Sequence, residues 1–213
     1  MAVRSRWLVV AVSLMALNAG CTPPGGGDSP YRYVVPVDAS ANVAYGSAGS
    51  HAGYPAADIF ASAGCGTPLV APVDGRVLEV RTVDLYDPAT DNPARRGGRY
   101  VSIEGMDGVR YYLAHLDSVA AGLAPGQAVG AGQVVGTMGR TGRAGACHLH
   151  LGVSPPCPGK EWAVRRGVVW PQPYLDAWRR GGTASPAREV TAWVAANPDA
   201  CAAAMADPFA PDA

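Results

Sequence analysis

From about Tyr31 to Val153 the apolar residues come in short runs that alternate with polar ones and stop at glycine. Leu69 to Val73 and Val77 to Val83 flank Asp74-Gly75, and Tyr100 to Ile103 and Val109 to His115 flank Gly105-Met106-Asp107-Gly108. Alternating β-formers on either side of Asp-Gly predict hairpins. Further glycine-bounded runs, Gly126 to Val129 and Gly132 to Val135, carry no helical period, so the pattern predicts a mainly β domain of antiparallel strands. Helical spacing first appears at Pro173 to Arg180, where Tyr174, Leu175 and Trp178 form one apolar face, and a second helix is expected over residues 188 to 197, ended by Pro198. The Ala-, Asp- and Pro-rich tail from Ala202 to Ala213 is expected to be poorly ordered.

Composition refines the ends. A chain of 213 residues with 48% hydrophobic side chains supports one domain with processed or flexible termini. Arg4 and Arg6 precede an apolar run from Trp7 to Leu17 that is too short to span a membrane, which is the layout of an export signal over residues 1–20. Leu17-Asn18-Ala19-Gly20-Cys21 resembles a bacterial lipoprotein box, with Asn18 as its departure. It implies a lipid anchor on Cys21, hence contact with a membrane; ordinary secretion is the alternative. Residues 21–30, rich in Pro and Gly, read as a flexible tether, residues 31–182 as the domain, and residues 183–213 as a partly helical extension. The 17 basic and 17 acidic residues become 15 against 17 once Arg4 and Arg6 are removed, a net of about −2 that gives no sign of a nucleic-acid partner.

The chain has four histidines, His51, His115, His148 and His150. In Cys147-His148-Leu149-His150-Leu151-Gly152-Val153 a strand would bury the leucines and valine on one face and turn both imidazoles to the other. His115 ends a run in which Val109, Tyr111 and Leu113 share its alternation. His51 and Asp58 flank a proline-containing turn that leads into Asp58-Ile59-Phe60. Two imidazoles, one carboxylate and one open position suit zinc, and His51, Asp58 and His150 could supply them.

These pieces, with Ala71-Pro72-Val73-Asp74-Gly75-Arg76-Val77, Tyr112-Leu113-Ala114-His115-Leu116 and the run Gly126-Gln127 to Gly139-Arg140-Thr141-Gly142, resemble the M23 zinc metallopeptidases of the LytM and lysostaphin type over residues 47–155. The resemblance implies a β-sandwich or barrel-like antiparallel LytM fold with short C-terminal helices. It implies that His51, Asp58 and His150 bind zinc while His115 and His148 assist the attacking water and stabilise the intermediate, His115 being the first choice of base. The family motif has three residues between histidine and aspartate; here there are six, so the connecting turn must be longer.

The function implied is a monomeric zinc endopeptidase of peptidoglycan in the cell envelope. Two alternatives are a non-catalytic envelope module of the same fold, binding wall material or activating another hydrolase, and a zinc peptidase of non-wall peptides. Setting Cys21 aside leaves four cysteines, an even set for an exported protein. A Cys147–Cys157 bond would pin the strand of the two histidines and leave Cys65 to Cys201, with the other two connectivities open. The polar insertion from Asp84 to Arg99 reads as a solvated loop rather than part of a substrate rim.

Overall fold

A computed structural model describes residues 29–159 and 161–210. The expected export signal, most of the expected tether and Cys21 fall outside the described residues. Nine strands follow in order: β1 (Val43–Tyr45), β2 (Ala57–Ala61), β3 (Pro68–Val70), β4 (Gly75–Arg81), β5 (Arg99–Gly105), β6 (Arg110–Val119), β7 (Ala128–Val129), β8 (Val134–Met138) and β9 (Leu149–Ser154). Every pairing is antiparallel. The strand order is β1-β2-β9-β6-β5-β4-β7, and β8 joins β3 to β6. Helices α1 (Gln172–Arg179), α2 (Ala187–Ala196) and α3 (Ala200–Met205) close the chain. Among the described residues no helix is long and apolar enough to cross a membrane.

The period of two along each strand divides the central layer β2-β9-β6 into two faces. Ala57 and Ile59 face Leu151 and Leu149 across one pairing, and Leu113 and Tyr111 face Leu151 and Val153 across the next. All seven are buried in the main core, with Leu69, Ile103, Leu116 and Met138. Helix α1 lays Tyr174, Leu175 and Trp178 against it, and Trp178 stacks on Tyr33 with ring centroids 5.3 Å apart. The other face of the layer carries Asp58, His150, Tyr112 and Ala114. The expected mainly antiparallel β architecture with short C-terminal helices is therefore the one found.

Three expectations are corrected. Asp74-Gly75 is not a hairpin turn, because β3 pairs with β8 while β4 pairs with β5 and β7. Gly75 serves a close approach instead: a Cβ there would lie 2.2 Å from the Glu104 carbonyl oxygen. Asp74 turns its carboxylate to the Ala131 N–H at 2.7 Å. The disulfides are Cys65–Cys147 and Cys157–Cys201, not Cys147–Cys157 and Cys65–Cys201. Strand β9 is the reason. Its six extended residues span about 17 Å between Cys147 and Cys157, far beyond the Cα separation a disulfide spans. The tail is also more ordered than its composition implies. Residues 200–205 are helical, Ala204 and Ala210 are buried, and the Cys157–Cys201 bond fixes α3 to the segment that follows β9.

Candidate active site

Register sets the site. Asp58 on β2 is directly opposite His150 on β9, and His150 is directly opposite Ala114 on β6, so one row crosses three strands on the face away from the core. The Asp58 Oδ1 lies 3.2 Å from His150 Nδ1, 3.5 Å from His148 Nε2 and 4.0 Å from His51 Nε2. His148 sits one residue before β9, bridged to Gly139. One ligand atom from each of His51, Asp58 and His150 lies within 4.8 Å of the other two. The longer turn between His51 and Asp58 keeps the pair together and folds Tyr54 over it, the Tyr54 and His51 rings 4.4 Å apart.

His115 reaches this face by a route that alternation does not foresee. Its run predicts that it shares the face of Tyr111 and Leu113, which is the core. In the structure Tyr100 pairs with Ala114 and Arg99 with Leu116, leaving His115 as an extra residue in a β-bulge. Its φ of 65° lies in the left-handed region, costly for a side chain with a Cβ. The bulge returns Leu116 to the core and turns the imidazole to the opposite face, 4.8 Å from the His148 ring and 5.9 Å from the His150 ring by centroid.

Each imidazole is oriented by a backbone carbonyl. His51 Nδ1 meets the Tyr54 oxygen at 3.1 Å, His115 Nδ1 the Thr141 oxygen at 2.8 Å, His148 Nδ1 the Ala146 oxygen at 2.9 Å, and His150 Nε2 the Arg166 oxygen at 2.9 Å. A carbonyl oxygen only accepts, so the ring nitrogen beside it carries the proton and the other nitrogen presents a lone pair. Four lone pairs and the Asp58 carboxylate thus converge, an arrangement of acceptors that a divalent cation relieves. Burial, reinforced by His150 and His148, lowers the pKa of His115 to about 3, which keeps it neutral. Burial likewise lowers that of His51. At Asp58 burial acts upward, but the surrounding imidazoles, His150 first among them, outweigh it and lower the pKa.

The row lies at the floor of a groove of about 700 Å³. One wall is the insertion, which is part of the rim and not a detached loop. Pro93, Ala94, Arg96 and Gly97 line the groove, the Gly97 carbonyl accepts from the His115 N–H at 2.9 Å, and Asp84 Oδ2 accepts from the Gly142 N–H at 2.9 Å. The other wall is the segment after β9, which carries Trp162, Arg165 and Arg166. It is anchored by a fully buried ion pair between Arg110 and Glu161, whose carboxylate also accepts the N–H groups of Val164 and Arg165 at 2.9 and 3.0 Å. Gly152 lets this wall approach: a Cβ there would lie 2.5 Å from the Arg166 carbonyl oxygen. The sequence reading assigned no role to Tyr54, Trp162, Arg165 or Arg166. The one available signal was the charged and aromatic cluster from Glu161 to Arg166 in an otherwise weakly charged stretch.

The chain is 36% identical over 93 residues to an L-Ala–D-Glu endopeptidase of Bacillus subtilis, an alignment covering 40% of this chain and 27% of that protein. It therefore spans only about a quarter of the relative's length. A crystal structure assigned as a glycyl-glycine endopeptidase LytM from Ruminococcus gnavus is similar with a TM-score of 0.51 and 25% identity, over 71% of this chain and 62% of that one. The catalytic domain of lysostaphin from Staphylococcus simulans gives a TM-score of 0.46 and 24% identity, over 64% of this chain and 92% of that domain. The profile of peptidase family M23 matches residues 53–161, just over half of the sequence. The chain belongs to peptidase family M23.

Proposed function

We propose that this protein is a zinc-dependent endopeptidase that hydrolyses peptide bonds of peptidoglycan in the cell envelope. The observation that carries the reading is the convergence of Asp58 and four imidazoles, each holding its lone pair toward the centre by an N–H to a backbone carbonyl. His51, Asp58 and His150 have the donor chemistry of a catalytic zinc site, two nitrogens and one carboxylate oxygen. Bound there, zinc supplies a Lewis acid for the scissile carbonyl and for water. His115 and His148 handle protons. The free Nε2 of each is turned into the groove, and burial keeps His115 neutral. His115 is our choice to take the proton of the attacking water and, as the imidazolium so formed, to stabilise the charge that develops and return that proton to the leaving amine, while the Nε2 of His148 assists as a second acceptor for the water.

The wall substrate is supported by the relative's activity as an L-Ala–D-Glu endopeptidase and by the export-signal pattern at the N-terminus. The lipoprotein-like box extends the proposal to a membrane anchor on Cys21. The non-catalytic alternative needs a missing residue or a covered groove, and here the full set of residues faces an open one. The test is direct: measure zinc per chain, then incubate the protein with purified wall and identify the cleaved bond by mass spectrometry. One zinc per chain is expected, with a His148→Ala variant that keeps the metal and loses cleavage by about 10²- to 10⁴-fold. A purified protein that neither holds zinc nor releases wall fragments would sink the proposal.

A further inference from the structure

Four arginines line the groove, and the carboxylate of Asp58 is the single acidic side chain among its lining residues. Three of the four are matched from behind. Arg96 and Arg143 share the Asp91 carboxylate at 2.7 and 3.3 Å, and Arg165 pairs with Glu79 at 2.7 Å while lying over the Tyr100 ring. Arg166 differs. Its guanidinium carbon lies 4.1 Å from the Tyr54 ring centroid and 4.9 Å from that of Trp162, and no carboxylate comes within ion-pair distance of it among the described residues. Its Nε is sealed from solvent without a hydrogen-bond partner.

Two aromatic rings fix the plane of this guanidinium without consuming its donors. The clamp itself is held: Trp162 donates its indole N–H to Asp207 Oδ1 at 3.1 Å, and the segment carrying Asp207 is tied down through Cys157–Cys201. A planar, oriented, unpaired guanidinium is built to bind a carboxylate with two parallel hydrogen bonds. Its position follows from the chain, since the carbonyl of the same residue accepts from His150.

We propose that Arg166 recognises substrate, and that the peptide cleaved here carries a free carboxylate within about two residues of the scissile bond, at ~3.4 Å per residue. The proposal rests on the reading of the groove as a peptidase site. It implies that amidation of that carboxyl, which removes its charge and one acceptor, makes a peptide a poor substrate.

The probes are soluble muropeptides from purified wall, used before and after carbodiimide-driven amidation of their carboxyl groups. Hydrolysis is followed with the wild-type, Arg166→Lys and Arg166→Gln proteins. Binding is followed by calorimetry on zinc-loaded His148→Ala chains with and without Arg166→Gln. Wild type is expected to favour the free carboxylates by about 10- to 100-fold in kcat/KM and in Kd. That ratio should fall toward one in Arg166→Gln and recover in part in Arg166→Lys. Equal treatment of both peptides by wild type overturns the proposal by itself, even if a variant fails to fold, as does a ratio that survives in Arg166→Gln. The two readings separate cleanly. Cleavage without preference removes the inference and keeps the endopeptidase; an Arg166-dependent binding preference without cleavage by the wild-type protein does the reverse.

Discussion

The two faces of the layer β2-β9-β6 are made from the same strands and obey different rules. On the core face Ile59, Leu149, Leu151 and Leu113 are fully buried, and all they need from one another is apolar volume. On the opposite face Asp58, His150 and Ala114 stand in the same register, but what each side chain does depends on groups from elsewhere in the chain. The carbonyls of Tyr54, Thr141, Ala146 and Arg166 choose the tautomers, and a bulge is needed to admit His115. The core face fixes where the site residues begin, and the loops fix where they aim. Damage on one face should register as lost stability, and damage on the other as lost metal or lost rate.

The largest break in the comparison is expected from His150→Ala. It removes one member of the donor set while leaving Leu149 and Leu151 in place, so zinc content should collapse and wall hydrolysis should fall by more than about 10³-fold. The fold should persist in circular dichroism. If the variant keeps its full zinc, His150 has no part in holding it. The mirror substitution is Leu151→Ala, the next residue along β9, which faces the core. A cavity at a fully buried leucine costs about 2–5 kcal/mol, read as a lowered urea midpoint. The folded fraction should still bind zinc. Loss of zinc in parallel with a small loss of stability would mean that the two faces are not separable.

Much of the core face was legible in the sequence because burial follows a period of two and the leucines and valines announce it. The histidine strand was legible for the same reason, since Leu149, Leu151 and Val153 mark the face that His148 and His150 must avoid. His115 was recognised as a candidate but aimed at the wrong face, because a bulge adds a residue without leaving any compositional mark. The hairpin at Asp74-Gly75 failed similarly. Glycine there answers to the backbone of Glu104, a contact 29 residues away in sequence that no local pattern encodes. The disulfides were misread because spacing along the chain is not distance in space, and β9 spans the gap between Cys147 and Cys157. The separate roles of the wall arginines were not legible, since nothing in the run from Glu161 to Arg166 says which guanidinium finds an acid and which does not.

Gly152 lies on the site face of β9, opposite Tyr112, beside the row and against the wall segment. A methyl group there meets the carbonyls of Arg166 and Arg165 at 2.5 and 2.8 Å, both backbone atoms that cannot swing aside. Gly152→Ala should therefore displace the wall, at about 1–3 kcal/mol of overpacking, and carry the Arg166 carbonyl away from His150. The expected signature is mixed: a moderate drop in melting temperature together with weakened zinc binding. A variant that loses stability with zinc affinity intact would show that His150 is oriented without the Arg166 carbonyl.

The smallest effect is also the most diagnostic, because it isolates backbone from side chain at one position. His115 holds a φ of 65°, which costs an L-residue roughly 1–2 kcal/mol and glycine very little. His115→Ala and His115→Gly both lose the imidazole and its hydrogen bond to Thr141, so neither should hydrolyse wall at an appreciable rate. They differ only in what the left-handed conformation costs them. The glycine variant gains there and gives back part of the gain through the greater freedom of its unfolded chain. The net expectation is that His115→Gly is more stable than His115→Ala by about 1 kcal/mol in urea denaturation. Equal stabilities would mean that β6 relaxes to regular pairing once the imidazole is gone, so that the side chain holds the bulge. A clear advantage for glycine would mean that Leu116 and the core impose the bulge and that the imidazole is carried to the site face by the strand beneath it.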